Sequence, residues 1–286
     1  MAVDTEWAKK LSKALPTLTR TEQEFADFVN TNPQETAFMS LREVAEKSGI
    51  SRPKIIDFFR KLGFENFQEF KTSIQNFYKQ HIDSYKASTT TFKKIKSLSE
   101  LLDSAVEIET KSLQRLKENI NEKDLSDIAE SILKAGSVFL FGPGTGFYPA
   151  HYLNRRLKRY KIDVHLVSED RHHTAEELYP MKENDLLIVF NYFTKDNIFD
   201  KVMSWGKDAG CRIIMITERV YPHLVNLADH VFYIDRGDIQ FKNSMAIPMT
   251  FANLILLAVE MKGTDTVEGY LKNLEKRRET FGLSDF

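Results

Sequence analysis

Apolar positions near the start of the chain recur at helical spacing. Phe25, Phe28 and Val29 form one set, and Phe67, Phe70, Ile74 and Phe77 another. Thr21-x-x-Glu24 and Ser40-x-x-Glu43 have the form of capping boxes, in which a hydroxyl and a carboxylate satisfy the free amides of a helix start. Asn32 and Pro33 interrupt between the first two helices. From His81 to Glu100 the rhythm stops. Residues 87–91 are polar and β-branched, Lys93, Lys94 and Lys96 follow, and the stretch reads as a linker. Beyond it the spacing predicts a long helix with Leu101, Leu102, Ala105, Val106, Leu113 and Leu116 on its apolar face, then a shorter one over 125–134.

After Ala135-Gly136 the pattern changes to short apolar runs separated by helical stretches. Strands are predicted over 138–141, 164–167, 186–190, 212–217 and 231–234. Helices are predicted up to Tyr160, over 198–209 and over 245–261, with a charged, helical tail after Gly263. Such alternation predicts a five-stranded parallel sheet covered by helices on both faces. The chain therefore divides into an all-α domain over 1–80, a linker over 81–100, and an α/β domain over 101–286.

Within the all-α part, residues 39–64 have helix-turn-helix spacing. Leu41, Val44 and Ala45 form the inner face of a short helix, Gly49 permits a tight turn, and Ile50 plugs the angle. Ser51 suits the N-cap of the next helix, Pro53 falls in its first turn, and Ile55, Ile56, Phe59 and Leu62 face inward. Its exposed side would carry Arg52, Lys54, Arg60 and Lys61, able to meet phosphates or base edges in a major groove. With Asp57 on the same helix, and Ser40 and Ser51 at the two helix starts, these are the candidate DNA contacts. A plain helical hairpin has the same spacing.

Composition limits the alternatives. The net charge of −1 argues against a protein that coats nucleic acid through global charge, but a local basic face is compatible with it. No apolar run approaches the roughly 20 residues that cross a bilayer, and MAVDTEWAKK lacks the apolar segment of a signal peptide. The one cysteine, Cys211, precedes the run Ile213–Ile216 and reads as a small buried side chain. A cytoplasmic protein is expected.

In parallel α/β sheets, ligands bind at the carboxyl ends of strands. Gly142-Pro143-Gly144-Thr145-Gly146 lies at such an end before a helix, where backbone amides and the helix terminus favour an anion. Its spacing is neither a Walker A loop nor a dinucleotide fingerprint, and it also suits a mere tight turn. His172 and His173 fall between the second strand and the next helix, without a third ligand at metal spacing, and read as solvated loop residues. The basic runs Arg155-Arg156-x-Lys158-Arg159-x-Lys161 and Lys276-Arg277-Arg278 read as solvated or inter-subunit faces. No cofactor, metal or catalytic residue is expected.

Ala37-Phe38-Met39-Ser40, Leu41-x-x-Val44-Ala45, Ser48-Gly49-Ile50-Ser51 and Arg60-Lys61-Leu62-Gly63-Phe64 lie within a stretch from Leu18 to Lys71 that resembles the N-terminal domain of the RpiR family of bacterial regulators. Phe141-Gly142-x-Gly144-Thr145-Gly146, Ile214-x-Ile216-Thr217, Leu227-Ala228-Asp229 and Phe241-x-Asn243-Ser244 resemble the SIS, or sugar-isomerase, domain that such regulators carry C-terminally. The resemblance implies a DNA-binding transcriptional regulator, acting on a palindromic operator as a homodimer or dimer of dimers, with a sugar phosphate or related metabolite as effector. It places the effector, by position, on Gly142, Gly144, Thr145, Gly146, Ser168, Asn191 and Thr194. Two departures stand out. Asp57 replaces a residue usually basic in the family. Asn191-Tyr192-Phe193-Thr194-Lys195-Asp196 replaces a Ser-x-Ser-Gly-x-Thr-like phosphate loop. Two rivals follow: an effector-independent DNA-binding dimer, and an aldose–ketose isomerase with Glu169, Asp170 or Glu218 as general base.

Overall fold

The computed structural model describes residues 6–79, 95–192, 197–234, 236 and 244–282. The chain forms two compact units, one of Met1–Gln114, Thr217–Asn226 and Tyr233–Ile247, the other of Arg115–Ile216, Leu227–Phe232 and Pro248–Phe286.

The first unit holds the helices α1 (Glu6–Ala14), α2 (Arg20–Thr31), α3 (Pro33–Phe38), α4 (Leu41–Ser48), α5 (Arg52–Lys61) and α6 (Phe67–Lys79), together with the larger part of α7 (Leu98–Asn119). Its core is aromatic. Trp7, Phe25, Phe58, Phe59, Phe64 and Phe70 are buried together with Val29, Val44, Ile55 and Ile74. Phe25 meets Phe58 edge-on at 5.1 Å, and Phe59 stacks on Phe70 at 5.9 Å. Phe25, Phe28, Phe67 and Phe70 are thus packing residues, as their periodicity predicts, and the side chain of Phe77 lies outside what is described. Val220 belongs to the same core, and Val225, in the one-turn helix α12 (Pro222–Val225), packs against it.

Helix starts follow local chemistry. Ser40 and Glu43 form a capping box on α4, as predicted. The box on α2 uses Thr19 and Glu22, not Thr21 and Glu24, because the helix begins at Arg20. The predicted apolar face of α7 is a different case. The helix is present and starts at Leu98, within the stretch read as linker, but Leu98, Leu102, Val106 and Leu113 are exposed. Burial along α7 is confined to Ser112 and Leu116.

The second unit is built on β1 (Val138–Phe141), β2 (Val164–Val167), β3 (Leu186–Asn191), β4 (Arg212–Thr217) and β5 (His230–Tyr233), in the order β2-β1-β3-β4-β5. The sheet is parallel: Val138 lies opposite Val164 and Leu186, and Phe141 opposite Val167 and Val189. β1 and β3 are buried along their whole length, as strands covered on both faces must be. The flanking helices are α8 (Glu122–Lys134), α9 (Phe147–Leu157), α10 (Arg171–Leu178), α11 (Ile198–Asp208), α13 (Ala246–Lys262) and α14 (Thr264–Glu279). Tyr160 donates to Glu260, and Lys262 reaches Glu130 at 3.2 Å, tying α13 to its neighbours. His172 and His173, read as loop residues, lie in the first turn of α10 and are exposed. Cys211 is buried. Among the described residues, no single helix is long and apolar enough to cross a membrane.

Candidate DNA-reading face and effector loop

Helix α5 is positioned by the turn before it and the apolar face beneath it. Gly49 ends α4 in the left-handed region at φ 71°, which a side chain would strain. Ser51 is the N-cap of α5, and Pro53 sits in the first turn. Ile55, Phe58, Phe59 and Leu62 are buried, whereas Ser51, Arg52, Lys54, Asp57, Arg60 and Lys61 are exposed. Among the described residues, the side chains of Arg52, Lys54, Asp57 and Arg60 make no hydrogen bond or ion pair.

Two of the predicted DNA contacts have structural partners. Lys61 donates to the Thr17 carbonyl at 2.6 Å and to the Glu22 carboxylate at 2.8 Å. The same Glu22 oxygen accepts from the Thr19 amide at 2.6 Å and the Thr19 hydroxyl at 2.9 Å. Burial, the largest single influence, pushes the Glu22 carboxyl up. The Lys61 and Thr19 hydrogen bonds, with the Lys61 charge, outweigh it and hold the group below its ordinary value. Ser40 is committed to its capping box, where its amide and hydroxyl hold the Glu43 carboxyl low. The clamp on Lys61 was visible only in part: a Glu three residues after a Thr is a local signal, but its meeting with Lys61 is a tertiary one.

In the α/β unit, the loop after β1 is tight. A Cβ on Gly142 would lie 2.4 Å from the Gly146 carbonyl oxygen, and one on Gly146 would lie 2.5 Å from that of Phe190. These glycines allow backbone to meet backbone. Gly144 has φ 59°, and its amide donates to the Glu169 carboxylate at 2.8 Å. After β2, the Ser168 amide donates to Glu177 at 2.5 Å. Asp170 caps α10 by accepting from the His172 and His173 amides, and the His173 bond followed by the His172 bond holds its carboxyl low. Thr145 is the central residue of the 3-10 turn Gly144–Gly146 that leads into α9. Asn191 ends β3, buried, with its Oδ1 lacking a hydrogen-bond partner among the described residues. Thr194 lies outside the described residues. Carboxylates thus already occupy the amides of Gly144, in the loop expected to receive an anion, and of Ser168, also expected at the effector, and the sequence gives no local sign of the Glu169 contact.

Three comparisons with known proteins bear on this geometry. Residues 5–81 match the helix-turn-helix domain of the rpiR family. Over 261 residues the chain is 23% identical to an HTH-type transcriptional regulator in the aarA 3' region of Providencia stuartii, covering 91% of each protein. In structure it is similar to the Vibrio vulnificus NanR protein complexed with ManNAc-6P, with a TM-score of 0.58 and 15% identity over 96% of this chain and 98% of that one. It is also similar to the sugar isomerase domain of the RpiR transcription factor from Sphaerobacter thermophilus, with a TM-score of 0.54 and 18% identity over 60% of this chain and 98% of the other. The α/β unit thus has the fold of that sugar isomerase domain, and residues 5–81 form a helix-turn-helix domain of the rpiR family.

Proposed function

We propose that this regulator binds a palindromic operator as a homodimer, with α5 of each copy in a major groove, and that its α/β unit binds a sugar phosphate that changes the spacing of the two reading helices. The observation that carries the DNA reading is the outward face of α5. Arg52, Lys54 and Arg60 stand exposed and unengaged there, opposite a fully buried face. The exposed apolar stripe Leu98, Leu102, Val106 and Leu113 on α7 supports a second copy, since contiguous exposed apolar surface marks an interaction site. The bound ManNAc-6P in the Vibrio vulnificus protein supports a phosphorylated sugar as effector.

The protein acts as a regulator and not as an isomerase. A general base must stand free beside its substrate. Glu169 is bound to the Gly144 amide, Asp170 caps α10, and Glu218 is buried in a two-point pair with Arg236 at 2.8 and 2.6 Å.

Gel shifts with Arg52→Ala and Lys54→Ala test the DNA reading. Each should weaken binding and flatten its salt dependence, while unchanged affinity in both rejects α5 as the reading helix. One observation favours an effector-independent dimer: the carboxylate of Glu169 on the loop amide. A thermal-shift screen of sugar phosphates and amino-sugar phosphates separates the two readings, because only a ligand that binds the folded state raises the midpoint.

A further inference from the structure

Asp57 stands at the centre of the surface that α5 presents. At about 3.6 residues per turn, Pro53, Asp57 and Arg60 fall on one stripe, opposite the buried Ile55, Phe58, Phe59 and Leu62. Arg52 and Ile56 flank the stripe on one side, and Lys54 and Lys61 on the other. Helical spacing gives Asp57 three cations that could neutralise it: Lys54, Arg60 and Lys61. Lys61 is held by Glu22 and the Thr17 carbonyl. Among the described residues, neither Lys54 nor Arg60 pairs with Asp57. Asp57 and Lys54 both line a hollow of about 340 Å³ between α5 and the start of α2, bordered by Thr19, Thr21 and Glu22. The carboxylate therefore stands unpaired in the middle of a basic face.

A free carboxylate there is repelled by phosphate and accepts hydrogen bonds but cannot donate them. In a major groove, the exocyclic amine of cytosine is the base-edge donor that suits it best. Adenine also presents an amine, N6, but beside the N7 acceptor, which repels a carboxylate, while guanine offers only acceptors on that edge and thymine an acceptor and a methyl. We propose that Asp57 is a specificity-determining residue that reads one cytosine in each half-site by accepting from its N4 amine, with Arg52, Lys54 and Arg60 supplying the phosphate and guanine contacts around it. This rests on the reading that α5 enters the major groove. It adds what that reading leaves open, the kind of base preferred at one position. The acid also lowers affinity for DNA of unrelated sequence, so that the basic face discriminates rather than merely adheres.

The test is selection of binding sites from a random-sequence duplex library by the full chain, with Asp57→Ala and Asp57→Asn alongside. Asp57 is exposed and unbonded, so both variants fold, and circular dichroism checks that they do. The wild type should select a cytosine at one position of each half-site, favoured about tenfold or more over other bases. In Asp57→Ala that position becomes degenerate while the rest of the site persists. In Asp57→Asn it shifts towards adenine, which an amide can both donate to and accept from. Affinity for unrelated duplex rises in both. Identical selected sites in all three proteins overturn the proposal and leave the DNA reading standing. A wild type that selects no sequence overturns both.

Discussion

The Gly144 amide donates to the Glu169 carboxylate at 2.8 Å, joining the loop after β1 to the loop after β2. This is the bond that an incoming phosphate would have to displace, because an anion and a carboxylate compete for one N–H and repel each other. Glu169 is exposed, so its removal leaves the fold intact. In Glu169→Ala, inorganic phosphate and hexose phosphates should therefore raise the melting midpoint more than they do in the wild type. Equal shifts in the two proteins would show that the loop amide is not an anion subsite.

The indole N–H of Trp7 donates to Asn30 Oδ1 at 2.9 Å, and Asn30 Nδ2 donates to the Val220 carbonyl at 2.5 Å. Both bonds are buried, so each lost partner leaves a desolvated polar group costing about 1–3 kcal/mol. Gln23 and Asn226, at 2.8 Å, and Asp27 and His223, also at 2.8 Å, add exposed and half-buried contacts beside them. Asn30→Leu keeps the branched shape of the side chain and removes both bonds. It should lower the stability of the helical unit by about 2–4 kcal/mol on the same reasoning, seen as a lower urea midpoint with unchanged slope. A change below about 0.5 kcal/mol, the ordinary scatter of surface substitutions, would mean that the relay carries no weight.

This relay joins residues far apart in the chain, a contact that local sequence pattern does not encode. Strand and helix positions were legible because each rests on local periodicity. The runs 138–141, 164–167 and 212–217 are strands with the bounds that the apolar pattern gives. Helix α10 is not legible in the sequence because Arg171–Leu178 has almost no apolar periodicity: Thr174 and Leu178 are its buried residues, and its start is fixed by Asp170. The membership of 217–226 in the helical unit was invisible, since it depends on the meeting of residues such as Asn30 and Val220 far apart in the chain. The site divides in the same way. That α5 would expose Arg52, Lys54 and Arg60 follows from helical spacing. That Lys61 would be withdrawn from the set by Glu22, or that Glu169 would occupy the glycine loop, follows only from three-dimensional contacts.

Lys61→Ala separates structure from DNA contact. Its partner Glu22 is largely sheltered and has a carboxyl held below its ordinary value. A depressed folded value means stability that is fully present above the unfolded carboxylate range and lost as pH falls through the folded one. The wild type should therefore lose stability relative to Lys61→Ala on acidification below about pH 4.5, the ordinary carboxylate value. At neutral pH the variant should be about 1 kcal/mol less stable, the usual size of a charged hydrogen bond with partial exposure. Operator affinity, measured where both proteins are folded, should change far less than in Arg52→Ala. A loss as large as that of Arg52→Ala would return Lys61 to the DNA-contacting set.

Cys211 gives a prediction that depends only on burial. Its Sγ donates to the Lys182 carbonyl at 3.1 Å, and burial, with a smaller push from the Asp185 charge, raises the thiol to about 11. The thiolate is the reactive form, and at pH 8 the native protein holds almost none of it. A chromogenic aromatic disulfide should therefore fail to label the folded chain at pH 8 over the time in which the unfolded chain is labelled completely. Labelling in urea should follow the unfolding curve of the α/β unit, because the sulfur is buried in the folded chain. Rapid stoichiometric labelling of the native protein would mean that the segment before β4 opens independently of the sheet, and that Cys211 is available to oxidants in the folded regulator.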